Sequence, residues 1–91
     1  MESLQACIPA VLAEVIRRQQ PSPARTTFAW SVAVGPALAR VTAVELRDRV
    51  LRVTPKDPQW SREIKRARAT ILERIQLLLG REGVVDIVID G

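Results

Sequence analysis

The stretch AVELRDRVLRVT, residues 43–54, constrains this chain more than any other. Val44 and Leu46 alternate with Glu45 and Arg47, and Leu51 and Val53 alternate with Arg52 and Thr54, the period-two pattern of half-buried strands. A two-residue turn at Asp48-Arg49 pairs positions whose numbers sum to 97. That register sets Leu46 opposite Leu51 and Val44 opposite Val53 on one face, and Glu45 opposite Arg52 on the other. A hairpin with one apolar face needs a layer to cover it, so the flanking segments are expected to be helical.

They read that way. Upstream, Ile8, Val11, Leu12, Val15 and Ile16 form a helical stripe, so a first helix is expected from Leu4 or Pro9 to Arg18, with Pro9 in its first turn. QQPSP breaks the chain. Ser22 is then a candidate cap and Pro23 a first residue for a second helix, through Trp30 to about Val34. Gly35 is expected to end it at positive φ, with Pro36 opening a short turn to Arg40. Downstream, Asp57 and Pro58 make an N-cap and first residue. Trp60, Ile64, Ala67, Ile71, Ile75 and Leu78 continue as the apolar stripe of a long helix ended by Gly80. VVDIVID closes the chain as a strand, with Val85, Ile87 and Ile89 on one side and Asp86 and Asp90 on a solvated face. A strand-helix-strand unit usually closes right-handed, so the last strand should lie parallel to the second. The expected fold class is α+β, in the order helix-helix-strand-strand-helix-strand, a three-stranded sheet with the helices on one face.

Ninety-one residues suit one domain, here residues 1–91. Hydrophobic residues make up 47% and aromatics only 3%, so the core is mainly aliphatic. The single cysteine, Cys7, allows no intrachain disulfide, which fits a reducing cytosol and a cytoplasmic protein. No signal peptide or membrane-length apolar run is present. The chain contains no histidine and no tyrosine. That removes His-based triads and Cys-His pairs, and Cys/His metal spacings with them. With no Gly-rich phosphate loop after a strand, neither an enzyme, a cofactor nor a small-molecule substrate is expected. GREG, Gly80 to Gly83, has the GxxG form that clamps nucleic-acid backbone in KH domains. Here it follows a helix, precedes a strand and carries Glu82, so it reads as a helix stop and turn.

The charge is localised. The net charge is +4. Residues 45–68 hold eight cations and four anions, while the rest of the chain holds six of each. Arg47 and Arg49 at the hairpin tip, Lys56 in the linker, and Arg62, Lys65 and Arg66 on the long helix are the candidate phosphate contacts. Arg52 is expected to pair with Glu45, and Glu63 with Arg66 at i,i+3. Six contacts would give a log-log salt slope near −5 on duplex or about −4 on a single strand. The bland reading of the same residues is a solvated basic face. Trp60 and Trp30 are read as core, with base stacking by an exposed Trp60 as the other option.

WSVAVGPALARVT, LRDRVLRV and DPQWSREI, followed by a long helix, a glycine and an apolar strand, resemble the DciA family. The pattern is a tryptophan with Val-Gly four residues on (Trp30, Val34, Gly35), a Leu-x-Asp-x-x-Leu hairpin (Leu46, Asp48, Leu51), and a second tryptophan opening the long helix (Trp60). It spans roughly residues 4–90. Members of that family are similar in fold to KH domains without a functional GxxG loop. They bind DNA and assist loading of the replicative helicase, of the DnaB type. The resemblance therefore implies a KH-like, non-enzymatic DNA-replication accessory protein with DNA and that helicase as partners. Two departures are visible. The family's hairpin turn commonly has Gly after Asp where Arg49 stands here, and longer members carry a further terminal segment, so a short form is expected. A protein-protein interaction module without nucleic-acid binding is the alternative, using the hairpin's outer face (Glu45, Arg47, Arg52, Thr54) and the edge of the closing strand.

Overall fold

In the computed structural model, which describes residues 9–90, the Ser22-Pro23 start works as its chemistry predicts. The Ser22 hydroxyl accepts from the Arg25 backbone N–H at 3.1 Å, and Pro23 takes the first helical position. The elements are α1 (Ala10–Arg18), α2 (Pro23–Val34), α3 (Pro36–Arg40), β1 (Thr42–Arg47), β2 (Val50–Pro55), α4 (Pro58–Arg66), α5 (Arg68–Leu79) and β3 (Asp86–Ile89). The part of the first helix expected before Pro9, with Ile8 and Cys7, lies outside the described residues.

β1 and β2 pair antiparallel in the expected register, Val44 with Val53, Glu45 with Arg52 and Leu46 with Leu51. Asp48 (φ 54) and Arg49 (φ 66) are both left-handed, the backbone of a type I′ turn, whose twist matches the strands it joins. β3 lies parallel to β2, giving the order β1-β2-β3. Leu51, Val53 and Ile87 are buried beneath the helices, while Glu45, Arg47, Arg52, Thr54 and Val88 are exposed on the other face. The α+β order and the one-sided helical layer are therefore as expected.

Three details differ from the sequence reading. The long helix is two helices, broken at Ala67 (φ −99, ψ 13), whose N–H is shared between the carbonyls of Glu63 (3.3 Å) and Ile64 (3.1 Å). Such tightening to i→i+3 bonding bends a helix without proline or glycine. The closing segment buries Val84 and leaves Val85 51% exposed, because β3 begins only at Asp86. On α1, Ala13 and Ile16 are buried and Leu12 packs on the core, but Val11 and Val15 are 76% and 50% exposed. α1 packs chiefly on α5 rather than on the sheet, and one neighbouring helix covers only a narrow strip.

Trp30 sits at the centre of the core, 1% exposed. Its indole N–H donates to the Thr42 hydroxyl at 2.8 Å, and that hydroxyl donates to the Leu38 carbonyl at 2.9 Å. One threonine thus satisfies the buried indole and ties β1 to the end of α3; an unpaired indole there would cost about 1–3 kcal/mol. GREG is a turn. Gly80 has φ 92, its carbonyl accepts from Gly83 N–H at 3.1 Å and Val84 N–H at 3.2 Å, and a Cβ on Gly83 would lie 2.5 Å from the Leu79 carbonyl oxygen. Glycine is required there by packing.

Candidate nucleic-acid interface

The six candidate cations fall into two groups at opposite ends of β2. Arg47 closes β1 and Arg49 sits in the turn before β2, while Lys56 follows β2 and Arg62, Lys65 and Arg66 lie along α4. All six are exposed. Six residues of strand separate the groups, about 17 Å from the first to the last. Among the described residues, Arg49, Lys56 and Arg62 have no side-chain ion pair or hydrogen bond. Arg66 reaches Glu63 at 3.9 Å, the i,i+3 contact expected, and both side chains are mostly in solvent. Such a pair contributes little and yields readily to a phosphate.

The outer face of the sheet pairs differently from expectation. Glu45 takes Arg47, its neighbour two residues along β1, at 3.0 Å, and Arg52 turns the other way to Asp90 at 3.9 Å. The Thr54 hydroxyl donates to the same Asp90 carboxylate at 3.2 Å. The reason is the third strand. Arg52 lies on the central strand with a carboxylate on either side, and Asp90 is anchored beside it by the Asp90 N–H to Val53 carbonyl bond at 2.9 Å. Arg47 is consequently a paired cation at the tip, as exposed as Arg66.

The edge of the closing strand, a partner site in the interaction-module reading, is occupied. The Arg68 guanidinium pairs with Asp86 and donates from Nε to the Ile87 carbonyl at 3.1 Å, while Asp86 Oδ1 accepts the Ile87 N–H at 2.8 Å. Both backbone groups of Ile87 are thus satisfied by side chains. β1, at the other side of the sheet, has β2 as its one strand neighbour among the described residues.

Trp60 departs from its expected role. It is half-buried, and it belongs neither to the buried core nor to the partly buried residues packed against it. It lines a groove of about 490 Å³ between the α2–α3 corner and the α4–α5 bend, walled by Val34, Pro36, Leu38, Ile64 and Ile71, with Glu63 as the one charged residue in the lining. Among the described residues its indole N–H has no hydrogen-bond partner. The stripe Trp60-Ile64-Ala67-Ile71 is a helical face as expected, but only its Ile64 and Ile71 are buried in the core.

One cation of this region has no signal in the sequence. Arg40 ends α3, and the Lys56 N–H donates to the carbonyl of the next residue, Val41, at 2.9 Å. That bond brings the residue after Arg40 against the backbone of Lys56, at the same end of β2. Arg40 is exposed and, among the described residues, carries no side-chain partner. It lies outside the basic segment in sequence, so no local count of charge reveals it.

Among the described residues there is no group of acidic, cysteine or histidine side chains that could hold a metal ion, and no helix long and apolar enough to cross a membrane. The family described as "Dna[CI] antecedent, DciA" matches residues 3–89. Comparisons with curated proteins and with solved structures return no match.

Proposed function

The chain belongs to the DciA family, and on that premise we propose that it binds DNA without sequence specificity through a basic face while assisting a replicative helicase of the DnaB type. The family serves replicative helicase loading rather than catalysis. The observation that carries the DNA reading is the exposed row of Arg62, Lys65 and Arg66 on α4, continued by Lys56. Phosphate contacts of this kind supply affinity by releasing counterions and carry no sequence information.

The test is anisotropy of a labelled single-stranded oligonucleotide at about 50 and 200 mM salt, with an Arg62→Glu/Arg66→Glu variant alongside. The expected result is binding that weakens steeply with salt and falls at least tenfold in the variant. Equal binding by the variant would remove α4 from the interface.

A second reading is an interaction module without nucleic-acid binding. It is favoured by the lateral edge of β1, which no strand covers among the described residues, since an extended partner segment can add there by backbone hydrogen bonding. Helicase capture that survives salt, with no DNA binding at low salt, would select it.

A further inference from the structure

We propose that two copies of this chain pair through the free edges of their β1 strands when they share one strand of DNA, an inference that rests on the DNA-binding reading above. The edge is open in a definite pattern. The Val85 N–H donates to the Arg49 carbonyl at 2.8 Å and the Asp90 N–H to the Val53 carbonyl at 2.9 Å. The odd-numbered residues of β2 therefore turn their backbone groups to β3, and the even-numbered ones turn theirs to β1. Through the hairpin register, Ala43, Glu45 and Arg47 face β2, while the backbone groups of Thr42, Val44 and Leu46 point outward. Among the described residues, no turn, loop or side chain supplies a hydrogen bond to the backbone of Val44 or Leu46. No proline, lysine or bulge blunts β1. Beside the edge runs a groove of about 400 Å³, with Pro21, Pro23 and Thr26 on one side and Val44 and Leu46 on the other, which leaves room for the inward side chains of an added strand.

The sequence of β1 and the placing of the cations select a second copy as that strand. A closed two-fold pair is antiparallel and matches even-numbered residues to even-numbered ones. Val44 opposite Val44 of the second copy sets Thr42 opposite Leu46 at both ends, so every outward residue is used and about six backbone hydrogen bonds form. Ala43 then meets Glu45 on the outer face. Sliding the strands toward the tips first sets Glu45 against Glu45 and then draws the left-handed Asp48 into the ladder. Sliding them the other way leaves Leu46 unpaired. Because the pair is antiparallel, the hairpin tip of each copy lies at the Thr42 end of the other. There Arg47 of one copy falls beside Val41 of the other, the residue that follows Arg40 and whose carbonyl holds the Lys56 N–H at 2.9 Å. The Lys56 backbone is then about 10 Å away, two strand spacings. Pairing thus rejoins the cations that one sheet divides, in two patches that each combine Arg40 and Lys56 of one copy with Arg47 and Arg49 of the other. Without an anion the patches repel, so the free protein stays single. A phosphate backbone that meets both patches reverses the sign, whereas a strand too short to do so binds one copy.

The experiment is sedimentation velocity of the full chain at about 50 mM salt, alone and with labelled single strands of about 4 and about 12 nucleotides. The expected result is one copy alone or on the short strand, and two on the long one. Val44→Pro removes an outward N–H that the hairpin does not use. Ala43→Glu, at an exposed position, sets like charges against Glu45 of the second copy. Both should carry a single copy on the long strand, while Ala43→Lys, which offers Glu45 the opposite charge, should keep two. Thermal melts accompany each variant; if Val44→Pro melts early, the two Ala43 variants decide alone. One copy of the parent on the long strand, or two copies of Ala43→Glu, overturns the pairing and leaves the basic face standing. If neither strand binds, the DNA reading itself fails and the pairing with it.

Discussion

Arg49 occupies a backbone conformation that favours glycine or asparagine. Its φ of 66, beside 54 at Asp48, follows from the type I′ turn that the two-residue hairpin demands. Aspartate tolerates that region through its short polar side chain, but an arginine there costs about 1–2 kcal/mol. Arg49→Gly should therefore raise stability by about 0.5–1 kcal/mol, after allowance for the greater freedom of glycine in the unfolded chain. For a chain this size that is a rise in melting temperature of roughly 2–6 °C. The same variant removes an unpaired cation from the hairpin tip, so oligonucleotide affinity should fall as stability rises. A thermal melt at or below that of the parent would show that the left-handed arginine is not strained. Trp30 and Trp60 show how far a sequence pattern reaches. Both lie on apolar helical stripes, yet Trp30 is enclosed and hydrogen-bonded to Thr42 while Trp60 lines a groove and is only partly covered. The stripe fixes the direction of a side chain, but whether another element arrives to cover it depends on the tertiary path of α2 and α3.

Among the elements, the hairpin is the most legible because two strand alternations and a fixed turn length agree on one register, and a one-residue slip would reverse every side chain. The Arg52–Asp90 pair is not legible, since both partners of Arg52 satisfy the same rule and only the seating of β3 decides between them. The bend at Ala67 is hidden for a similar reason. No glycine or proline marks it, and immediately after it Arg68 is held to β3 through Asp86 and the Ile87 carbonyl. That attachment guards the strand edge, so Arg68→Ala should expose the backbone of Ile87 and promote self-association. Light scattering over a concentration series is expected to show a rise in mean mass for Arg68→Ala and none for the parent. If both remain at the same mass, the guanidinium is a tether for α5 and not an edge guard.

Over the whole molecule, the basic segment contiguous in sequence is divided in space. The sheet carries Arg47 and Arg49 to one end of β2 and Lys56 and the α4 cations to the other, while folding recruits Arg40 from outside the segment. A single strand too short to span β2 should engage only Arg40, Lys56, Arg62, Lys65 and Arg66, with a log-log salt slope near −3.5, and a longer strand that also reaches the tip should approach about −5. The slope measured against oligonucleotide length checks this; a slope independent of length would mean that one group carries all the binding. The two lateral sides of the sheet are also unlike. β1 can accept another strand, whereas β3 is closed at Ile87. Head-to-tail growth consumes one edge of each kind at every junction, so the cover over Ile87 opposes polymerisation of copies through their sheets. Strand addition on the β1 edge then ends after one step, in a closed pair or a single captured segment.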